Sequence, residues 1–182
     1  ALERYEYTRA LDRTEAFFWS FCDDYLELVK ARRYGDHGPE GAQSANAAMR
    51  ATLSVLTRLL APYLPFVTDE VWSWWQPGSV HTSAWPTADD VRALTAEPGD
   101  AATLAVAVDV TGALRRAKSE AKVGMKTQVA RAVVRDTAER LAALEAVRRD
   151  VCAAGNVGEL VLEVAPEFSC QVVFEAPAGD TA

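Results

Sequence analysis

Apolar residues recur at helical spacing over most of the first two thirds of the chain and predict long amphipathic helices. Over 14–34 the apolar positions follow a period near 3.6, and a second stripe runs over 44–61. Between them lies DHGPEG, residues 36–41, whose glycine and proline content favours a loop. Both stripes are broad enough that each predicted helix must pack against other elements.

The segment LLAPYLPFVTDEVW, residues 59–72, joins the end of one helix to the start of another. Pro62 disfavours helical dihedrals at the residue before it and lacks a backbone donor, so the second helix is predicted to end near Ala61. Thr68 is predicted to cap the next helix, with Asp69 near its positive end. A sharp, dry corner between two helices is expected. Its packing is assigned to the tryptophans Trp72, Trp74, Trp75 and Trp85.

A further helix is predicted from a capping Asp100 to about Lys122. The inward residues predicted from its period are Leu104, Val108, Thr111 and Leu114. An outer stripe of cations is predicted on the same helix, formed by Arg115, Lys118 and Lys122. Together with the preceding elements, this helix predicts a bundle.

In the last third of the chain the period changes and predicts a small β-α-β-β unit. Alternating apolar positions predict strands over 128–135, 160–164 and 171–174, with a helix over 137–151. Val157 and Gly158 are placed in the turn before the second strand. We therefore expect a mainly α protein with two domains, a helical bundle over 1–125 and a small α/β subdomain over 126–182.

Composition and charge limit the possible classes of protein. The chain has 182 residues, three scattered cysteines and no apolar run long enough to cross a membrane, which indicates a cytoplasmic protein and no membrane partner. It begins at Ala1 within a predicted helix, so we expect a piece of a longer protein. A net charge of −7 opposes nucleic-acid binding, but the window 113–135 carries a net +6 and the sequence after it is acidic.

The residues offer little support for catalysis. The adjacent carboxylates Asp23 and Asp24 diverge by about 100° on a helix and cannot share a proton or a metal ion. Cys22 lies on an apolar face, where a buried, inert thiol is expected. The cysteines and the two histidines have no zinc-ligand spacing. No catalytic and no metal-binding residue is therefore predicted.

Four segments of the chain resemble segments of one protein family, and they occur in the same order as in that family. The proline-bracketed segment at 59–72 resembles the anticodon-binding domain of class I aminoacyl-tRNA synthetases of the valine, isoleucine and leucine group. EAFFWSFCDDYLELVKARRYG at 15–35 and SVHTSAWP at 79–86 look like the valyl members of that group. RRAKSEAKVGMKTQV at 115–129 resembles the segment that follows them there.

The resemblance implies a helical anticodon-binding bundle followed by the small α/β unit. It also implies a parent enzyme that attaches valine to tRNA(Val) using ATP with magnesium. The partners implied are tRNA(Val) and the catalytic and editing domains of the same polypeptide, and no DNA. The HIGH and KMSKS motifs of the nucleotide-binding domain have no match here, so this part of the enzyme is expected to bind no cofactor and to be non-catalytic.

Candidate RNA-binding residues follow from residue type, because unpaired bases stack on aromatic rings and phosphates bind lysine and arginine. One group lies on the first long helix and contains Trp19, Lys30, Arg32, Arg33 and Tyr34. The other contains Arg115, Lys118, Lys122 and Lys126. A solvated charged face, or cations that complement the end of a helix, would explain the same residues without RNA.

Three alternatives remain open at this stage. The first is the corresponding domain of an isoleucyl or leucyl enzyme, against which the wording FCDDYLELVK at 21–30 weighs. The second is a helical protein-interaction module that no longer binds RNA, which the acidic balance favours. The third is an independent hydrolase, which would need a convergent polar site that the sequence does not display.

Overall fold

The computed structural model describes residues 1–93 and 99–175. Its helices and strands, in chain order, are a 3-10 helix Leu2–Arg4, α1 Tyr7–Ser20, a π-helix Phe21–Tyr25, α2 Leu26–Tyr34, α3 Gly38–Leu60, α4 Pro65–Ser73, a 3-10 helix Val80–Thr82, α5 Ala88–Arg92, α6 Ala101–Glu120, β1 Val129–Asp136, α7 Ala138–Ala146, α8 Arg148–Gly155, β2 Val157–Val164 and β3 Ser169–Phe174. The predicted class, mainly α with a small α/β unit, is confirmed. Within the described residues, no helix has the length and apolarity needed to span a lipid bilayer.

The chain folds into two compact units. The first unit contains Ala1–Asp24 and Gly35–Gly99, and the second contains Tyr25–Tyr34 and Asp100–Ala182. Within the second unit, α6 packs with α7, α8 and β3. The predicted domain boundary at residue 125 stays a prediction. Residues 176–182 of the predicted second domain lie outside the described residues.

In the first unit, α3 packs against α1 and α4. α3 ends at Leu60, as predicted from Pro62, but it begins at Gly38 with a proline in its first turn. The loop predicted over 36–41 is therefore wrong for its last four residues, because proline is compatible with the first turn of a helix. α1 likewise begins at Tyr7, about two turns before the start predicted at residue 14.

The corner after α3 differs in detail from the prediction. α4 begins with Pro65 in its first turn and follows Leu64, so Thr68 does not cap it. Thr68 is instead buried inside the helix, where its hydroxyl donates to the carbonyl of Leu64 at 2.8 Å. The capping prediction is wrong, because Pro65 suits the first helical position and α4 therefore begins three residues before Thr68.

Asp69 joins α4 to the segment that follows it. Its Oδ1 accepts from Ser79 Oγ at 2.6 Å and from the Val80 backbone N–H at 3.0 Å. The Ser79 hydroxyl, followed by that backbone N–H, lowers the pKa of the Asp69 carboxyl below its ordinary value. The carboxylate therefore closes a turn between two elements rather than serving the start of its own helix.

The second unit is built on a three-stranded sheet in the order β2-β1-β3. β1 pairs in parallel with β2 and antiparallel with β3. Alternate residues of β1 are buried and join side chains from α2, α6, α7 and α8 in one apolar cluster. The β-α-β-β prediction is confirmed, and the helix between the first two strands is divided into α7 and α8 at Val147, which has φ −120° and ψ 16°.

The turn before β2 is tighter than predicted. Asn156 adopts the left-handed conformation, with φ 51° and ψ 53°, and ends α8. Its carbonyl accepts from the Val129 backbone N–H at 2.9 Å, so the strand pairing begins at once. Val157 and Gly158 consequently lie in β2, and their assignment to the turn was wrong.

Candidate nucleic-acid interface

The end of α2 is anchored to α8 by an ion pair. The Arg32 guanidinium donates through Nε to Asp150 Oδ1 at 3.3 Å and through Nη2 to Asp150 Oδ2. Leu28 and Val29 are buried on the same helix, and Leu28 belongs to the main apolar cluster. Burial raises the pKa of the Tyr25 phenol, while the Arg32 charge lowers it and the Asp150 charge raises it. Arg32 is therefore a structural element of the second unit as well as a cation.

Beside this anchor, the last turn of α2 presents exposed groups. Tyr34 is 79% exposed, and Arg33 is exposed and forms no side-chain hydrogen bond or ion pair with any described residue. Lys30 is exposed but pairs with Glu27 one turn before it. Arg149, which precedes Asp150 on α8, is exposed and is likewise unpaired with any residue that the structure describes. An aromatic ring and two guanidiniums that pair with no described residue thus flank the Arg32 anchor on two neighbouring helices.

A second set of cations lies after α6, in the loop of residues 121–128, which we call the basic loop. Lys122 and Lys126 are exposed, and neither side chain is paired with any residue in the described ranges. Met125 between them is 54% exposed. Lys122 adopts a positive φ of 56°, so the chain turns sharply where α6 ends.

Lys118, on the buried face of α6, binds the backbone of this loop. It is 2% exposed, and its ammonium donates to the carbonyls of Met125 and Gly155 at 2.8 Å each. Burial lowers the pKa of the Lys118 amino group. The prediction that Lys118 lies on an outer stripe was wrong, because it is four residues after the buried Leu114 and shares its helix face.

The other predicted residues differ in exposure and in the unit to which they belong. Arg115 is half-buried and has interactions of its own, and α6 instead exposes Arg116, which pairs with no described residue. Trp19 is 57% exposed and meets Phe18 edge-on at 5.2 Å between ring centroids. It belongs to the first unit, whereas the residues predicted to accompany it belong to the second. The RNA role of each of these side chains stays a prediction.

Arg116 and Arg149 were missed by the sequence analysis. Arg116 follows directly from the period of α6 once Leu114 and Lys118 are placed on the buried face. Arg149 lies in a part of the chain that was read as acidic, and no local signal distinguishes it from the paired Arg148 beside it. Only the three-dimensional pairing separates the two arginines.

The tryptophans only partly follow the prediction that they pack at the corner. Trp72 is buried and meets the half-buried Trp75 at 5.5 Å, as expected for packing at the corner. Trp74 and Trp85 are 71% and 46% exposed, so their assignment to packing was wrong.

Burial raises the pKa of the Cys152, Cys170 and Cys22 thiols, which makes each a poor nucleophile. Over residues 1–93 and 99–175, no group of His, Cys, Asp and Glu side chains is arranged to hold a metal ion.

Comparison with known proteins identifies the family. A family model described as the anticodon-binding domain of tRNA ligase matches residues 1–134. The chain is 52% identical over 98% of its length to a valine–tRNA ligase of Thermobifida fusca, 51% identical over 86% to one of Salinispora tropica and 44% identical over 99% to one of Cutibacterium acnes. In each case it spans about 20% of the relative's length. The chain belongs to the family of anticodon-binding domains of tRNA ligases.

Proposed function

We propose that this chain binds the anticodon stem-loop of tRNA(Val) as one part of a valine–tRNA ligase. The observation that carries the proposal is its similarity to valine–tRNA ligases, which extends across both units rather than only across the family match. The reported relatives act on valine by name, which favours this reading over an isoleucine or leucine ligase. In the intact cytoplasmic enzyme, ATP with magnesium and the chemistry of valine attachment belong to the catalytic domain, and proofreading belongs to the editing domain.

The second unit offers the groups that an RNA loop needs. Arg33, Arg149, Lys122 and Lys126 are exposed cations without a described partner and can bind phosphate oxygens. Tyr34 offers an exposed ring on which an unpaired base can stack. Phosphate contacts would set the register of the stem-loop, and stacking would favour an open loop over a duplex.

Tyr34 provides the sharpest test of this assignment. In Tyr34→Ala, the loss of one stacked base should weaken binding by about 1–3 kcal/mol. Tyr34→Phe retains the ring and should bind nearly as well as the unaltered protein. Both variants would be titrated as the intact protein, by fluorescence anisotropy, with transcripts of tRNA(Val) and tRNA(Leu).

The outcomes separate the site from the function. Preferential binding of tRNA(Val), with a loss specific to Tyr34→Ala, supports both. Unchanged binding by Tyr34→Ala would refute the stacking contact while leaving anticodon recognition in place. Equal binding of the two transcripts, or no binding of either, would refute the proposed function.

A further inference from the structure

The basic loop is an exposed connection, and hydrogen bonds fix its backbone although its two lysine side chains pair with no described residue. Lys118 Nζ binds the Met125 carbonyl, and Asn156 Nδ2 donates to the Lys126 carbonyl at 2.8 Å. Two backbone hydrogen bonds between residues close in sequence add to this: the Val123 N–H donates to the Lys118 carbonyl, and the Thr127 N–H donates to the Gly124 carbonyl. The backbone carbonyls of Met125 and Lys126 are therefore fixed by side chains from outside the loop, and this orders the backbone that carries the exposed lysines.

Both tethers come from the same place in the fold. The Lys118 ammonium also donates to the carbonyl of Gly155, the last residue of α8, and Asn156 is the residue that ends this helix. The basic loop is thus fixed to the end of α8, whose first turn contains Asp150, the partner of Arg32. One short helix therefore supports both groups of exposed cations.

A loop ordered before binding does not lose conformational entropy when a ligand arrives, and this increases affinity without any new contact. We propose that Lys118 and Asn156 are positioning residues that hold the basic loop so that Lys122 and Lys126 can bind phosphates of the RNA. This inference rests on the proposed function and assigns to a buried lysine a role in which it does not touch the RNA.

Asn156→Gly is the most informative variant. Glycine adopts the left-handed conformation readily, so the end of α8 is retained while the side-chain tether to Lys126 is removed. Lys118→Met removes the second tether and keeps an unbranched buried chain. Lys122→Ala combined with Lys126→Ala removes the proposed phosphate-binding ammonium groups themselves.

The test is a double-mutant cycle of RNA affinity. An anticodon stem-loop RNA with the tRNA(Val) sequence would be titrated by anisotropy with the intact protein, at several salt concentrations. The double alanine variant should lower affinity about tenfold or more, and the steepness of the salt dependence should fall by about 0.7–0.9 for each phosphate that is no longer neutralised. Asn156→Gly should lower affinity in the unaltered protein but not in the double alanine background, because its effect passes through those lysines.

Other outcomes overturn the inference in distinguishable ways. If Asn156→Gly and Lys118→Met leave affinity unchanged while the double alanine variant binds more weakly, the loop binds RNA without needing its tethers. If Asn156→Gly has the same effect in both backgrounds, it acts elsewhere. If the double alanine variant binds normally, the loop does not touch the RNA, although the proposed function stands. If the unaltered protein does not bind the RNA, both fall.

Discussion

Replacing Arg32 with alanine should destabilise the second unit, because it removes the ion pair that joins α2 to α8. The Asp150 side chain is 6% exposed and that of Arg32 is 28% exposed. Removing one partner of a fully buried pair costs about 3–5 kcal/mol, whereas an exposed pair contributes about 0–1 kcal/mol. Arg32 is partly solvated, and Asp150 lies in the first turn of α8, where the helix dipole favours a carboxylate. We therefore expect a loss of about 1–3 kcal/mol in the free energy of unfolding.

Arg33→Ala is the matched control. Arg33 is the next residue on the same helix and is exposed, without a side-chain partner among the described residues. Its replacement should change stability by less than about 0.5 kcal/mol. Its effect should appear in RNA affinity instead, so the two neighbouring substitutions should show opposite patterns.

The assay must report on the second unit. All five tryptophans of the chain lie in the first unit, so intrinsic tryptophan fluorescence follows that unit. Amide hydrogen exchange of peptides from β1 and β2 follows the second. The Arg32 and Asp150 contribution would be isolated by a cycle of Arg32→Ala, Asp150→Asn and the double variant, with a coupling above about 1 kcal/mol expected. Equal exchange rates for the Arg32→Ala and Arg33→Ala variants would refute the structural role of Arg32.

The remaining predictions concern packing and pH. In Gly155→Ala, the new Cβ would lie 2.5 Å from Leu114 Cδ1, and we expect a loss of about 1–3 kcal/mol in the same exchange assay. Gly112→Ala is its control, since a Cβ there meets nothing within 4 Å, and it should stabilise α6 by about 0.5–1 kcal/mol; a destabilised Gly112→Ala or a neutral Gly155→Ala would contradict the packing. Asp69 accepts a hydrogen bond from Ser79, and its lowered pKa contributes stability that is present above the unfolded pKa of about 3.9 and is lost as the pH falls through the folded pKa. Asp69→Asn should therefore lower the urea midpoint seen by tryptophan fluorescence at pH 7, and the difference between the two midpoints should narrow as the pH is lowered below about 3.9. A difference that does not change with pH would exclude this linkage.

Some helix boundaries were predictable where a capping side chain determines them. Asp100 caps α6 as predicted, its side chain accepting from the Ala102 backbone N–H at 2.8 Å. Thr137, by contrast, was placed inside the predicted helix, and the structure makes it the cap of α7. Both are side chains that bind backbone groups within a few residues, which is a signal that a single sequence contains.

The candidate site was less predictable, because it depends on which cations find partners. On α6, Leu104 is 42% exposed while Val106, Ala107 and Val110 are buried, so the predicted inward stripe is out of phase at its start. Lys118 follows Leu114, itself a predicted inward residue, by four positions, so the helical period already places it on the buried face and only its residue type suggested an RNA contact. Arg32 and Asp150 are separated by 118 positions in the sequence, and no local sequence pattern near either residue predicts that they pair.

The net charge of −7 does not describe the surface that RNA would meet in the proposed complex, and the pairing in the sheet explains why. Arg131 and Arg135 lie opposite Glu159 and Glu163 in the parallel register of β1 and β2, with N–O distances of 3.4 and 2.7 Å. These pairs remove two cations from the basic window and two carboxylates from the acidic sequence after it. Charges on a protein surface act over a Debye length of about 8–10 Å, so the potential that RNA meets is set by the local balance. At the basic loop that balance depends on two lysines without a partner among the described residues, and a sum of charges over the whole chain does not reveal them.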